Sequence, residues 1–256
     1  MAEIVIVRDA EEAGELAASM IAALVTAKPE AVLGLATGST PLTTWTALAR
    51  HDLDLSAVRG FALDEYIGLP DGHPESYRAV VTREIVEPLG MTPGNVRVPG
   101  DDGGSLEGAG ARYESAIAEA GGVDLQVLGI GRTAHIGFNE PGSSLASRTR
   151  IKTLTEQTRR DNARFFDSID DVPRHCITQG LGTILEARRA VLLAFGEKKA
   201  PAIAAALEGP LTASVPGSVL QLHPHATVIV DEEAASLLAN ADYYRHAWAN
   251  RHDVGE

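Results

Sequence analysis

The chain has one cysteine, Cys176, few aromatic residues (5%) and little positive charge. A single thiol can build neither an internal disulfide nor a cysteine zinc site, which fits a reducing compartment. With 22 Lys and Arg against 35 Asp and Glu, the formal net charge is −13. No basic surface is therefore expected to neutralise nucleic-acid phosphates or to sit on an anionic membrane. No apolar run approaches the roughly 18 residues of a membrane span. The opening residues, MAEIVIVRDAEEAG, place no basic segment before an apolar one, so no signal peptide is expected. HExxH, DxDxDG and clustered His/Asp sets are missing, and neither a metal nor a cofactor is expected. GxSxG is missing too, which argues against a nucleophile elbow. These exclusions predict an acidic, soluble, cytoplasmic protein whose partner is a small molecule.

What is present is enough apolar residue, 45% of 256, to bury a substantial core. One domain over residues 1–256 is expected, since no stretch has the composition of a linker and no period of roughly 20–50 residues recurs. Gly94 to Gly110, with its Gly100-Asp101-Asp102-Gly103-Gly104 run, reads as a surface loop. Apolar, β-branched runs alternate with helical spacing. Strands are predicted at Glu3–Val7, Ala31–Leu35, Val58–Leu63, Asp124–Gly129, His175–Thr178, Ala190–Phe195 and Ala226–Val230. Helices are predicted at Ala10–Ala27, from Pro41 to Leu48, and over Pro74–Glu87. Such alternation specifies an α/β fold in three Rossmann-like layers, a mostly parallel central sheet with helices on both faces. Ligands in such folds bind beyond the carboxyl ends of the strands.

The residues after those strand ends carry polar chemistry. LGLATGSTPL (Leu33–Leu42) places Thr37, Gly38, Ser39 and Thr40 before a helix that Pro41 would open. Amides, hydroxyls and a helix N-terminus suit an anion such as a sugar phosphate; an ordinary capped helix start explains the same residues equally well. FALDEYIGL (Phe61–Leu69) ends an apolar run with two adjacent carboxylates, which point to opposite faces. One of them, in a dry pocket, could serve as a general base. Residues alone do not decide between Asp64 and Glu65, and a solvated turn is the plainer reading of any such pair. GIGRTAHIGFNEPGSSLASRTR (Gly129–Arg150) places His135 five residues before Glu140, an acid–base pair if the loop folds back. His51, His73, His246 and His252 lie in polar surroundings and read as surface residues, while His223 and His225 stay open. Arg164, in DNARFF, and Lys198 and Lys199, after AVLLAF, are cations that could meet a phosphate or simply face solvent.

Taken in order, LGLATGSTPL, FALDEYIGL, GIGRTAHIGFNEPGSSLASRTRIKTL, TQGLGTIL, GEKKA and SVLQLHP resemble the glucosamine-6-phosphate deaminase family over about Ala31–Val230. The related 6-phosphogluconolactonases share the glycine–histidine loop but continue it with an ASLFP-like string where this chain has FNEP. The resemblance implies metal-free ring opening, aldose–ketose isomerisation and deamination of glucosamine 6-phosphate to fructose 6-phosphate and ammonium. It assigns His135 to ring opening, Glu140 as its partner and Asp64 as the base that moves the proton between C2 and C1. It puts the phosphate on Thr37, Gly38, Ser39 and Thr40, with Arg164 and Lys199 as counter-charges. One departure stands out: the family has Asp or Asn, then Gly, before the histidine, whereas this chain has Thr133 and Ala134. Thr133 can support the loop with a hydroxyl but carries no charge, so a retained reaction with altered pH dependence is expected. Some members are homo-oligomers, hexamers activated by N-acetylglucosamine 6-phosphate. That effector site maps onto Ser143, Arg150, Lys152 and Thr153, although the short HDVGE tail tells against it. A homo-oligomer is expected. Galactosamine 6-phosphate as substrate, the lactonase reaction and a non-catalytic sugar-phosphate sensor are the competing readings.

Overall fold

The computed structural model describes residues 3–251; His252 and the HDVGE tail lie outside them. In chain order the elements are β1 (Glu3–Val7), α1 (Ala10–Ala27), β2 (Val32–Leu35), α2 (Ser39–Leu48), β3 (Arg59–Ala62), β4 (Asp64–Ile67), α3 (Tyr77–Val81), β5 (Val96–Arg97) and α4 (Ala109–Glu119). There follow β6 (Leu125–Gly129), β7 (Arg150–Thr153), α5 (Glu156–Asn162), β8 (His175–Thr178), α6 (Leu181–Leu185), β9 (Arg189–Ala194), α7 (Ala200–Leu207), β10 (Ala226–Asp231) and α8 (Ala241–Ala249).

Seven strands form the central sheet in the order β1-β10-β9-β6-β2-β3-β5, and every neighbouring pair in it is parallel. Strands buried on both faces read as unbroken apolar runs: VLGL of β2 is buried throughout, as are the last five residues of β9. Helices cover both faces. Helix α1 starts at an Asp9 cap whose side chain accepts from the Glu12 N–H and buries Ala13, Ala17, Ala18 and Ile21. On another face α4 lays Tyr113 against Phe61, ring centroids 5.7 Å apart. At the opposite edge from the strand C-termini, Asp124 closes the sheet by accepting from Lys28 Nζ, Arg188 Nη1 and the Val32 N–H at 2.8–2.9 Å. Strands β2 and β6 are adjacent, and the chain leaves them in opposite directions across the sheet. This is the topological switch point at which open α/β sheets bind ligands.

The alternating strands and helices anticipated from the sequence are present, with five differences. The Asp64-Glu65 pair does not end a strand in a turn: it opens β4, which belongs to a second, antiparallel sheet, β4-β8-β7. His175–Thr178 is likewise a strand of that small sheet. The Gly94–Gly110 stretch is not all loop, since β5 adds an edge strand to β3 there. Pro74–Glu87 is helical only from Tyr77, and its second half widens to π-type bonding over Thr82–Val86. Strand β7, RIKT, is short with one apolar residue in four, and no period-2 apolar signal marked it.

Candidate active site

Four loops that leave the carboxyl ends of β2, β3, β6 and β9 enclose a cleft of about 880 Å³. The loop after β2 supplies its first wall. Helix α2 starts at Ser39, two residues before Pro41, so Pro41 is not its opening residue. Its N-cap is Gly38, with φ +98° and no side-chain cap. The capped-start reading therefore fails: the first amides of α2 are left without a hydroxyl partner and line the cleft with Thr37, Ser39 and Thr40. The positive φ explains the glycine, since nothing stands within 4 Å of where a Cβ would be. The macrodipole at this end favours an anion.

Facing that wall is Lys199, just after β9. Its Nζ donates to the Ile130 carbonyl at 2.7 Å. Burial, and then the charges of Arg132 and Arg164, hold the ammonium below its ordinary pKa, while Asp161 acts the other way. Arg164 also lines the cleft and lies 4.6 Å from the centroid of the Phe165 ring. Arg132, not singled out by the sequence, is a third cation on this side, 3.8 Å from Asp161. Lys198 lines the cleft as well.

The β3 end settles which carboxylate enters the cleft. Asp64 lines it and is 8% exposed. Among the described residues no donor reaches its carboxylate. Burial, then the charge of Glu65, raises its pKa to about 8. Glu65 points away and accepts from the N–H groups of Tyr66, Tyr77 and Arg78 at 2.7–2.8 Å. Burial still pushes its carboxyl up, against the pull of those three donors and of Arg78. Glu65 thereby holds the start of α3, and with it Tyr77, whose ring stacks on Tyr66 at 4.9 Å. These rings wall the cleft next to Asp64, and Phe138 closes against both.

The β6 loop turns back sharply: Gly131 donates to the His135 carbonyl, and Ala134 to the Gly131 carbonyl. Ala134 takes φ +58°, the one left-handed non-glycine residue among those described. The imidazole of His135 lies directly over Gly131, where a Cβ would overlap the ring. His135 lines the cleft. Glu140 does not: it sits behind the imidazole, 4% exposed, with Oε2 3.4 Å from His135 Nδ1. Burial alone would raise its pKa, but hydrogen bonding and charge from His135 and the hydroxyls of Thr158 and Thr133 outweigh that and hold it at about 2. Thr155 Oγ1, the cap of α5, lies 3.2 Å from Glu140 Oε1. Between these residues Asn139 pins the loop, donating to the Ile136 and Gln179 carbonyls and accepting from Arg150 Nη1 at 2.8–2.9 Å. Thr155 and Thr158 carried no motif, and Asn139 and Arg132, though inside the quoted loop string, had no role assigned to them; proximity in the fold identifies all four.

The four residues mapped to an effector do not all converge. Alternation along β7 puts Arg150 and Lys152 on one face and Thr153 on the other, where its Oγ1 meets His175 Nδ1 at 3.3 Å. Ser143 is buried and its Oγ has no hydrogen-bond partner among the described residues. His223 is structural: its Nε2 is 2.8 Å from the Ala187 carbonyl and its Nδ1 accepts from the His225 N–H. No group of three or more His, Cys, Asp or Glu is placed to hold a metal among the described residues. None of the described helices is long and apolar enough to cross a membrane.

An acid–base cleft beside an open helix N-terminus, at the switch point of a parallel sheet, is the arrangement expected of an enzyme that acts on a sugar phosphate. The chain belongs to the family of glucosamine-6-phosphate isomerases and 6-phosphogluconolactonases, whose profile matches residues 8–230. It is 59% identical over 264 aligned residues to a glucosamine-6-phosphate deaminase of Bifidobacterium longum subsp. infantis, covering 98% of each chain. It is 60% identical over 256 residues to the one of Streptomyces avermitilis, again covering 98% of each. A monomeric glucosamine-6-phosphate deaminase of known structure superposes with a TM-score of 0.89 at 42% identity, over 93% of this chain and 100% of that one. The 6-phosphogluconolactonase of Trypanosoma cruzi shares the fold, with a TM-score of 0.75 at 19% identity over 93% and 97%.

Proposed function

We propose that this chain is an enzyme that converts glucosamine 6-phosphate and water to fructose 6-phosphate and ammonium, in amino-sugar catabolism. The observation that carries the chemistry is Asp64, a buried carboxylate without a hydrogen-bond donor, sharing one cleft with His135. The relatives, at 58–60% identity over nearly the whole chain, support the substrate.

In this reading Thr37, Gly38, Ser39 and Thr40 take the phosphate, and Arg164 and Lys199 neutralise it. Grip on the phosphate holds the sugar through ring opening and orients C1 and C2. His135 takes the proton of the C1 hydroxyl and returns it to the ring oxygen, which frees the aldehyde. Glu140, ionised behind it, sets its orientation and balances its charge. Thr133 supports the loop. Asp64 removes the C2 proton and delivers it to C1 through an enol-type intermediate. The resulting imine at C2 takes up water and releases ammonia. Each positioned proton transfer contributes about 10²–10⁴-fold. No step needs a metal or cofactor. The enzyme is a single domain that works in the cytoplasm.

Ammonium release from glucosamine 6-phosphate, with Asp64→Asn beside the parent, tests the reading. Release by the parent and its loss in the variant are expected. Binding without release would make the chain a sensor, and a preference for galactosamine 6-phosphate or for the lactone would move the substrate. A homo-oligomer activated by N-acetylglucosamine 6-phosphate is the wider proposal from the resemblance. Its test is the mass in solution and the rate with and without that effector. The 42%-identical neighbour is a monomeric enzyme, and the divergence of Thr153 from Arg150 leaves the effector site short of one contact.

A further inference from the structure

Behind the imidazole of His135 stands a hydroxyl whose two contacts constrain each other. Thr133 Oγ1 is 2.8 Å from His135 Nδ1 and 2.9 Å from Glu140 Oε2. Nδ1 and Oε2 are themselves 3.4 Å apart, so the threonine oxygen lies closer to each of them than they lie to one another. A hydroxyl has one proton to donate. The Glu140 carboxylate is ionised and can only accept, so that proton goes to Oε2. The threonine oxygen can then meet Nδ1 only as an acceptor, and Nδ1 must carry hydrogen. The reverse arrangement, with the hydroxyl donating to Nδ1, would set two bare oxygens against each other at 2.9 Å.

From this geometry we propose that Thr133 is a positioning residue that fixes His135 as the Nδ1–H tautomer and leaves Nε2 as the proton acceptor for the cleft. The inference rests on the role given to His135 above. Through ring opening Nδ1 keeps its proton. Nε2 accepts the proton of the sugar's C1 hydroxyl and gives the same proton to the ring oxygen, so nothing is gained or lost by the relay. During the interval the imidazolium faces Glu140 through a neutral hydroxyl. The left-handed Ala134 completes the turn, and its carbonyl accepts from the Gly217 N–H at 2.8 Å. That strained residue folds the turn so that the side chains of Thr133 and His135 meet.

The test pairs Thr133→Val, which keeps the shape and removes the hydroxyl, with Thr133→Ser, which keeps the hydroxyl. Nitrogen-15 NMR of the imidazoles in the intact protein, with His135 assigned by His135→Gln, reports which ring nitrogen is protonated in the neutral form. The parent and Thr133→Ser are expected to hold the proton on Nδ1, and Thr133→Val to move it largely to Nε2. With glucosamine 6-phosphate, kcat of the valine variant should fall at least about tenfold, within the roughly 10²–10⁴-fold that such a group contributes, and KM should change little. A parent that holds the proton on Nε2, or a valine variant that keeps it on Nδ1 whatever its rate, overturns the proposal. Should the valine variant fail to fold, the spectra of the parent and the serine variant decide. A parent without turnover sinks the functional reading, yet the spectra still decide the tautomer.

Discussion

Asp64 should cost the protein stability in proportion to pH, and removing its charge should return that stability. In the folded chain burial raises the carboxyl from its ordinary 3.8 to about 8. Between those two values the folded state binds more protons than the unfolded one, so the contribution of this group falls as pH rises. The slope is about 1.4 kcal/mol per pH unit. By pH 7, a little over three units above the unfolded value, the accumulated cost is about 4 kcal/mol, a large share of the stability of a typical domain. Asp64→Asn keeps the shape and cannot ionise. Urea unfolding of parent and variant at pH 5, 6, 7 and 8 isolates the effect, because titrations not coupled to Asp64 cancel in the difference. The variant should be more stable at every pH, by about 2 kcal/mol at pH 5 and by about 4 at pH 7. A difference that stays flat across that range would mean that the carboxylate is not desolvated, and the case for it as the base would lose its physical footing.

The same ionisation predicts a rate profile: kcat/KM, which reports the free enzyme, should rise with pH along an acid limb that ends near 8. Glu65→Ala leaves the Tyr66 N–H of β4 and the Tyr77 and Arg78 N–H groups at the start of α3 without their acceptor. It should destabilise the fold by several kcal/mol at about 1–3 per lost partner, measured by urea unfolding, and should slow turnover through Tyr77 although it does not line the cleft. Lys199→Met removes a counter-charge at the phosphate end; KM for the sugar phosphate should rise at least about tenfold, the loss of a charge-assisted bond of about 1.5–3 kcal/mol, while inhibition by unphosphorylated glucosamine stays as it was.

The central sheet was legible because buried parallel strands leave long apolar runs, as in VLGL and RAVLLA. The small sheet was not, beyond β8, whose bounds His175–Thr178 the chain did mark. Its strands β4, β7 and β8 are short and partly polar, and pairing between residues as distant as Asp64 and Thr178 leaves no local period. For the same reason DEY looked like a strand end when it is a strand start. The candidate site residues Asp64, His135 and Glu140 lie in motifs and were singled out from the chain, and the choice of Asp64 over Glu65 rested on the resemblance alone. The structure supplies the physical ground for it: Glu65 already spends its carboxylate on three amides. Thr155 and Thr158 come from a helix start that any Thr-x-x-Thr would make. Nothing in that string says that a glutamate fifteen residues upstream will fold against it.

Those two threonines have a consequence for how the enzyme responds to change. Helix α5 begins on the Glu140 carboxylate through Thr155 and Thr158, and two residues past its end it delivers Arg164 to the cleft. One carboxylate therefore anchors both the histidine at the ring end and the segment that carries the guanidinium at the far end. Damage at either end should be felt at the other. Losses from Glu140→Gln and Arg164→Gln combined should fall short of the product of the two, as they would not for sites that share no support. On the proposed roles, a sugar lacking its phosphate would then lose more than binding, because Arg164 and His135 share the support of Glu140.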